Sequence, residues 1–141
     1  MKQSFDVSLA VDAATVHPWV SDLSRYPQWM PLVHSVDVVS DAVWSVELRA
    51  KVGVFARSKR LTMRRTRDDG RTIIFERNES DGRSHSPWTM TVVTDPQDSG
   101  CRVAVELEYG GTLWTAGVLD RILAAQVEAG KQGLARAVQG A

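Results

Sequence analysis

The sequence predicts an α+β fold. A curled antiparallel sheet of about seven strands wraps around one long C-terminal helix, with two short helices after the first strand. Three observations predict it. Apolar residues alternate with polar ones along most of residues 4–109 and then switch to helical spacing beyond Gly110-Gly111. Turn chemistry punctuates the alternating part at Asp68-Asp69-Gly70, Asp81-Gly82 and residues 95–100. Two prolines, Pro27 and Pro31, confine a short aromatic segment between the first strand and the others.

Residues 4–12 put Phe5, Val7, Leu9 and Val11 on one face, which reads as a half-buried strand. Asp12 or Thr15 can cap the helix that follows. Thr15 is favoured, because it leaves Pro18 in the first turn, where its missing N–H costs little. A start at Asp12 would place Pro18 in the helix interior. The segment Tyr26-Pro27-Gln28-Trp29-Met30-Pro31 then has room for one tight helical turn at most.

Residues 33–39 are apolar and β-branched. Residues 42–52 alternate, with Trp44, Val46, Leu48 and Ala50 on one side. Residues 55–67 alternate less cleanly, 72–80 return from the Asp-Gly turn, and 84–94 carry Trp88, Met90 and Val92 on one face. The last strand, 101–109, aligns Val103, Val105, Leu107 and Tyr109. Thr112 can cap the helix predicted over 113–138, whose apolar face holds Val118, Leu119, Ile122, Leu123, Val127, Leu134 and Val138. Gly130 and Gly133 each cost a helix interior about 1 kcal/mol, and so mark a bend or a close backbone approach. Seven strands twisting by roughly 20–25° each curl strongly. Such a sheet around one helix need not be filled, and an apolar cavity between the two layers is expected.

The 141 residues are expected to form one domain, 1–141, large enough for its own core. With 43% hydrophobic and 24% charged residues, the composition excludes a disordered chain, a coiled coil and a collagen-like repeat. No apolar run approaches the ~18 residues of a membrane span, so no integral membrane association is expected. The alternating N-terminal residues lack a continuous apolar stretch, which makes the cytoplasm the expected compartment. Cys101 is the one cysteine, so an internal disulfide and a cysteine-based zinc site are excluded.

The formal net charge is zero, 17 Lys+Arg against 17 Asp+Glu, which argues against a DNA partner. The distribution is uneven. Arg49, Lys51, Arg57, Lys59, Arg60, Arg64, Arg65 and Arg67, eight of the 17 basic residues, fall within 48–67 with no acid among them. They form either a solvated outer strand face paired with acids on neighbouring strands or a surface for an anionic partner such as RNA or a ribosome.

The stretch VSLAVDAATVHPWVSDLSRYPQWMPLVHSVDVV, residues 7–39, resembles the START-like (SRPBCC) superfamily, and within it the polyketide cyclase/dehydrase family. The resemblance lies in a strand, a helix ending Val20-Ser21-Asp22-Leu23, the Tyr26-Pro27-x-Trp29-x-Pro31 motif and a β-branched strand. Gly53-x-Phe55, the Asp-Gly turn and the long helix extend it over essentially the whole chain. It implies a helix-grip fold with a hydrophobic cavity. It does not imply one activity, because the superfamily places carriers, enzymes and toxins on one frame.

Trp29, Trp44, Leu48, Phe55, Phe75, Trp88, Met90, Tyr109 and Trp114 are the candidate ligand-binding residues, since they mostly fall on faces that read as inward. The alternative is that they simply fill the core. His17, His34 and His85 share no metal-ligand spacing, and neither a metal nor another cofactor is expected. In the polyketide aromatase/cyclases of the superfamily, a cavity arginine, tyrosine and hydroxyl groups orient a poly-ketone. By that likeness Arg64 or Arg60 would polarise a ketone and Tyr26 or Tyr109 would exchange a proton. His34, beside the Tyr26–Pro31 motif, is by its position a candidate general base for an enolising substrate. Leu61 and Met63 compete with Arg60 and Arg64 for the inward face. Residues 58–62 also lack the tryptophans that accompany the cavity arginine in the aromatases.

Three functions follow as expectations. The first is binding or transport of a small hydrophobic molecule of polyketide, lipid or isoprenoid type. The second is a polyketide cyclase, aromatase or dehydratase reaction in the same cavity. The third is docking on RNA or a ribosome through the basic segment. The long helix or an edge strand would also allow a homodimer.

Overall fold

A computed structural model describes residues 2–52, 54–110 and 116–140, with the backbone alone for Val52, Phe55 and residues 116–120. The elements are β1 (Lys2–Leu9), α1 (Ala13–Ser21), a 3-10 helix (Leu23–Gln28), β2 (Val33–Ser40), β3 (Val43–Val52), β4 (Phe55–Asp68), β5 (Thr72–Arg77), β6 (Trp88–Gln97), β7 (Gly100–Tyr109) and α2 (Ala116–Gln139). The cap expected at Thr112, and Trp114 with it, lie outside the described residues, as does Gly53. The side chains of Val118 and Leu119 are likewise not described.

All seven strands join one antiparallel sheet in the order β1-β7-β6-β5-β4-β3-β2. Sequential hairpins build β2 to β7, and β1 then adds to β7, so β1 and β2 are the two edges. Alternation decides which face is dry. Along β6, Trp88, Met90, Val92 and Thr94 are buried while the residues between them are half-buried. On β7, Cys101, Val103, Val105 and Tyr109 are buried, with half-buried or exposed residues between them. In α2, Leu123, Val127, Leu134 and Val138 are buried at helical spacing and join this core.

The first helix corrects one expectation. Asp12, not Thr15, is the N-cap, and Pro18 lies inside α1. The Asp12 carboxylate accepts from the Thr15 N–H at 2.9 Å and from the Thr15 hydroxyl at 2.5 Å. The cap satisfies the first turn, and α1 accommodates Pro18 in its interior at the loss of one backbone bond. The 3-10 helix reads as expected for a chain pinned by Pro27 and Pro31. It begins at Leu23, capped by the Asp22 carboxylate on the Ser24 N–H at 2.9 Å. Two long-range bonds fix it against α1: Tyr26 Oη donates to the Val20 carbonyl at 2.7 Å, and Trp29 Nε1 donates to the Trp19 carbonyl at 3.0 Å.

Gly133 of α2 sits on the Trp29 backbone: a Cβ there would lie 2.0 Å from the Trp29 carbonyl oxygen. At its C-terminal end, α2 is tied to the end of β1 by the Ala10 N–H donating to Gln139 Oε1 at 3.0 Å.

The outer wall is partly self-neutralised. Arg102 meets Asp6 at 2.6 Å, Lys2 meets Glu106 at 3.7 Å and Arg67 meets Asp69 at 2.7 Å. Arg60 reaches Asp37 at 3.5 Å and Ser45 Oγ at 2.9 Å. Among the described residues Arg49, Lys51, Arg57 and Arg64 make no ion pair. The basic segment is therefore only in part the paired face that the sequence allowed.

Candidate functional site

The concave face is divided into a filled end and a hollow one. At the filled end four aromatic side chains pack together, one pair tilted and two edge to face. Tyr26 lies 4.6 Å from Trp29 and 6.0 Å from Phe75, and Phe75 lies 5.8 Å from Trp44. Above Trp44, 5.7 Å from its ring, sits the guanidinium of Arg65, whose Nη1 donates to the Ser21 carbonyl at 2.7 Å. Trp29, Trp44 and Phe75 are thus buried core aromatics, Trp29 and Phe75 joined through Tyr26 and Trp44 packed on Phe75.

At the hollow end an apolar cavity opens between the sheet and α2. Its sheet wall is Phe5 from β1, Val46 and Leu48 from β3, Leu61 and Met63 from β4, Trp88 and Met90 from β6, and Val105 and Leu107 from β7. Leu23, Met30, Leu32 and Val33 close one side, and Gln126 and Val127 of α2 face the sheet. The space open to a water-sized sphere is about 50 Å³, and the whole crevice, counting its open mouth, is about 630 Å³.

Of the ligand-binding candidates, Leu48, Trp88 and Met90 line this cavity. Tyr109 stands behind Trp88, its ring stacked at 5.3 Å and 27°. Phe55 begins β4 and its side chain is not described. The lining also holds aliphatic and Met residues outside that candidate set, among them Met30, Leu61, Met63, Val105 and Val127. The signal for them is there, since Leu61 and Met63 share the parity of the inward face of β4.

The polar candidates are not gathered at the cavity. His34 is exposed on β2. Arg60 and Arg64 point outward because Leu61 and Met63 take the inward positions of β4. Tyr26 is buried with its hydroxyl bonded to Val20, and burial pushes its phenol well above the usual range, so it stays protonated. None of Arg60, Arg64, Tyr26, Tyr109 and His34 is among the described residues that line the cavity. Two arginines of β4 carry the inward parity of Leu61 and Met63: Arg57, which is exposed, and Arg65, which is half-buried beside the bulge between Arg65 and Arg67. That parity is legible in the sequence, although the resemblance pointed to Arg60 and Arg64 instead.

Further along the same face of β4, Lys59 is half-buried. Desolvation and then the neighbouring Arg77 lower its ammonium pKa, while Glu79 opposes them. Glu79 holds Arg77 at 2.9 Å and accepts from the Thr62 N–H at 2.9 Å. Burial works against its charge, but these bonds keep its carboxyl below the usual range. His17 is engaged by Asp68 at 3.0 Å and His85 by Asp81 at 2.9 Å, both outside the cavity. Cys101 is buried, and desolvation raises its thiol pKa, so it is a poor nucleophile. Among the described residues no cluster of His, Cys, Asp or Glu is arranged to hold a metal ion. No helix among them is long and apolar enough to cross a membrane.

A seven-stranded antiparallel sheet gripping a C-terminal helix over an apolar cavity is the helix-grip architecture of START-like proteins. The sequence matches the family described as "Polyketide cyclase / dehydrase and lipid transport" over residues 2–139, and the chain belongs to that family. Among solved structures it is similar to a START superfamily protein from Mycobacterium smegmatis, at 16% identity and TM-score 0.78, covering 99% of this chain and 97% of that one. It is similar to the Zhui aromatase/cyclase from Streptomyces sp. R1128, at 14% identity and TM-score 0.75, covering 99% and 93%. A protein from Thermus thermophilus matches at 20% identity and TM-score 0.74, covering 99% and 98%. At these identities the structural likeness speaks for the fold. Among curated proteins none matches the sequence significantly.

Proposed function

We propose that this chain is a single domain that binds, and hands on, a small hydrophobic molecule in the cavity beneath α2, with the cytoplasm as its compartment. The observation that carries this is the lining itself. Among the described residues it holds no ionisable side chain, and its polar members are Gln3, Gln126 and the indole of Trp88. Burying ~400 Å² of ligand apolar surface at about 25 cal/mol/Å² gives roughly 10 kcal/mol gross. Association costs reduce that to micromolar-scale affinity.

A cavity of about 50 Å³ is well below the space such a ligand fills, so the wall must yield. Met30, Met63 and Met90 give it the means, because an unbranched thioether re-packs at little cost. The test is titration with the fluorescent apolar probe N-phenyl-1-naphthylamine, for the native protein and for Val46→Phe, which fills the cavity from β3. Saturable binding that weakens about tenfold or more in the folded variant supports the reading. Equal binding by both proteins, or none by either, refutes it.

Ring closure of a poly-ketone is the second reading, favoured by the family description and by the likeness to an aromatase/cyclase. In this cavity such chemistry would fall to the Trp88 N–H and the Gln126 amide. Neither titrates near neutral pH, which leaves the carrier reading ahead.

A further inference from the structure

Two polar atoms interrupt the apolar lining. Trp88 Nε1 and Gln126 Oε1 are both fully buried, and neither has a hydrogen-bond partner. Both residues line the cavity, Trp88 from the start of β6 and Gln126 from α2 on the opposite wall. A donor and an acceptor left unmade in the interior each carry a desolvation penalty. The Trp88 ring is fixed by its stack on Tyr109, so its N–H keeps a set direction. Gln3, the remaining polar residue of the lining, already has an interaction of its own.

We infer that the ligand carries a neutral hydroxyl on an apolar body, seated so that its oxygen accepts from the Trp88 N–H and its proton goes to the Gln126 carbonyl oxygen. This rests on the cavity being the ligand site. A hydroxyl is the smallest group that both donates and accepts. A hydrocarbon leaves both atoms unmade. A carboxylate has no proton for Gln126, and no cation lines the cavity among the described residues. Lys59 shares the inward face of β4 but is not part of the lining.

The experiment compares three bicyclic molecules at neutral pH by their displacement of N-phenyl-1-naphthylamine: 2-naphthol, naphthalene and 2-naphthoate. The naphthol is expected to bind about tenfold more tightly than either of the others. In Gln126→Leu that advantage shrinks severalfold, because the wall then offers the hydroxyl proton no acceptor. A second measurement needs no substitution: the indole N–H resonance of Trp88 moves downfield with naphthol and not with naphthalene. Equal binding of naphthol and naphthalene by the native protein overturns the inference, and so does a preference for naphthoate. If the fluorescent probe itself fails to saturate, the cavity reading falls and this inference falls with it.

Discussion

Asp69 illustrates how single residues hold the turns of this sheet. Its Oδ1 accepts from the Thr72 N–H at 2.7 Å and the Arg71 N–H at 3.0 Å, and its Oδ2 meets Arg67. The backbone bond from Thr72, then Arg67 and Arg71, hold its carboxyl far below the usual range. The folded pKa lies under the unfolded value near 3.9, so the stabilisation is full above that value. It is lost as pH falls through and below it. Asp69→Asn is expected to lower the melting temperature at about pH 6, with the gap to the native protein closing toward about pH 2. Thermal melts across that range check it, and a gap of constant size would contradict the assignment. The turn is legible from Asp68-Asp69-Gly70 alone, with Gly70 at φ 86° as the residue that can take it. The cap of α1 is not, because the sequence shows where Pro18 is best tolerated and does not show the reach of the Asp12 side chain.

At the level of elements, α2 is held against the 3-10 helix by a glycine. Gly130 and Gly133 look alike in the sequence, but the structure separates them. A Cβ at Gly133 would collide with the Trp29 backbone at 2.0 Å, whereas one at Gly130 would make ordinary contact with the Met30 side chain at 3.6 Å. Gly133→Ala is therefore expected to destabilise by about 1–3 kcal/mol or more through forced displacement of α2. Gly130→Ala is expected to stabilise by up to about 1 kcal/mol through helix propensity. Urea unfolding midpoints moving in opposite directions would bear this out, and equal shifts would refute it. The strands were readable because alternation, turn residues and β-branching agreed along the same segments. Which of two helical glycines meets a backbone was not, since the answer depends on a contact across about a hundred residues of chain.

For the molecule as a whole, the decisive division is between the end that aromatics fill and the end they leave open. Composition and order of elements were enough to expect a curled sheet over one helix and a cavity between them. The residues lining that cavity were harder to read. Trp44, Phe75, Trp88 and Tyr109 all carry inward parity, but only Trp88 faces the open end. Position along a strand, which alternation does not encode, decides between core and lining. The same limit hid Gln126, a polar residue among the apolar positions of α2 whose buried oxygen matters only once the opposite wall is known.

The outer groove formed by Asp6, Thr91, Val93, Arg102, Ala104 and Glu106 is the rival location for a ligand, although its lining is half polar in character. Methyl-resolved NMR during titration with 2-naphthol separates the two places directly. The account predicts that the methyls of Met30, Met63 and Met90 shift together with one dissociation constant while Val93 and Ala104 stay still. Shifts confined to Val93 and Ala104, with the three methionines unmoved, would contradict it.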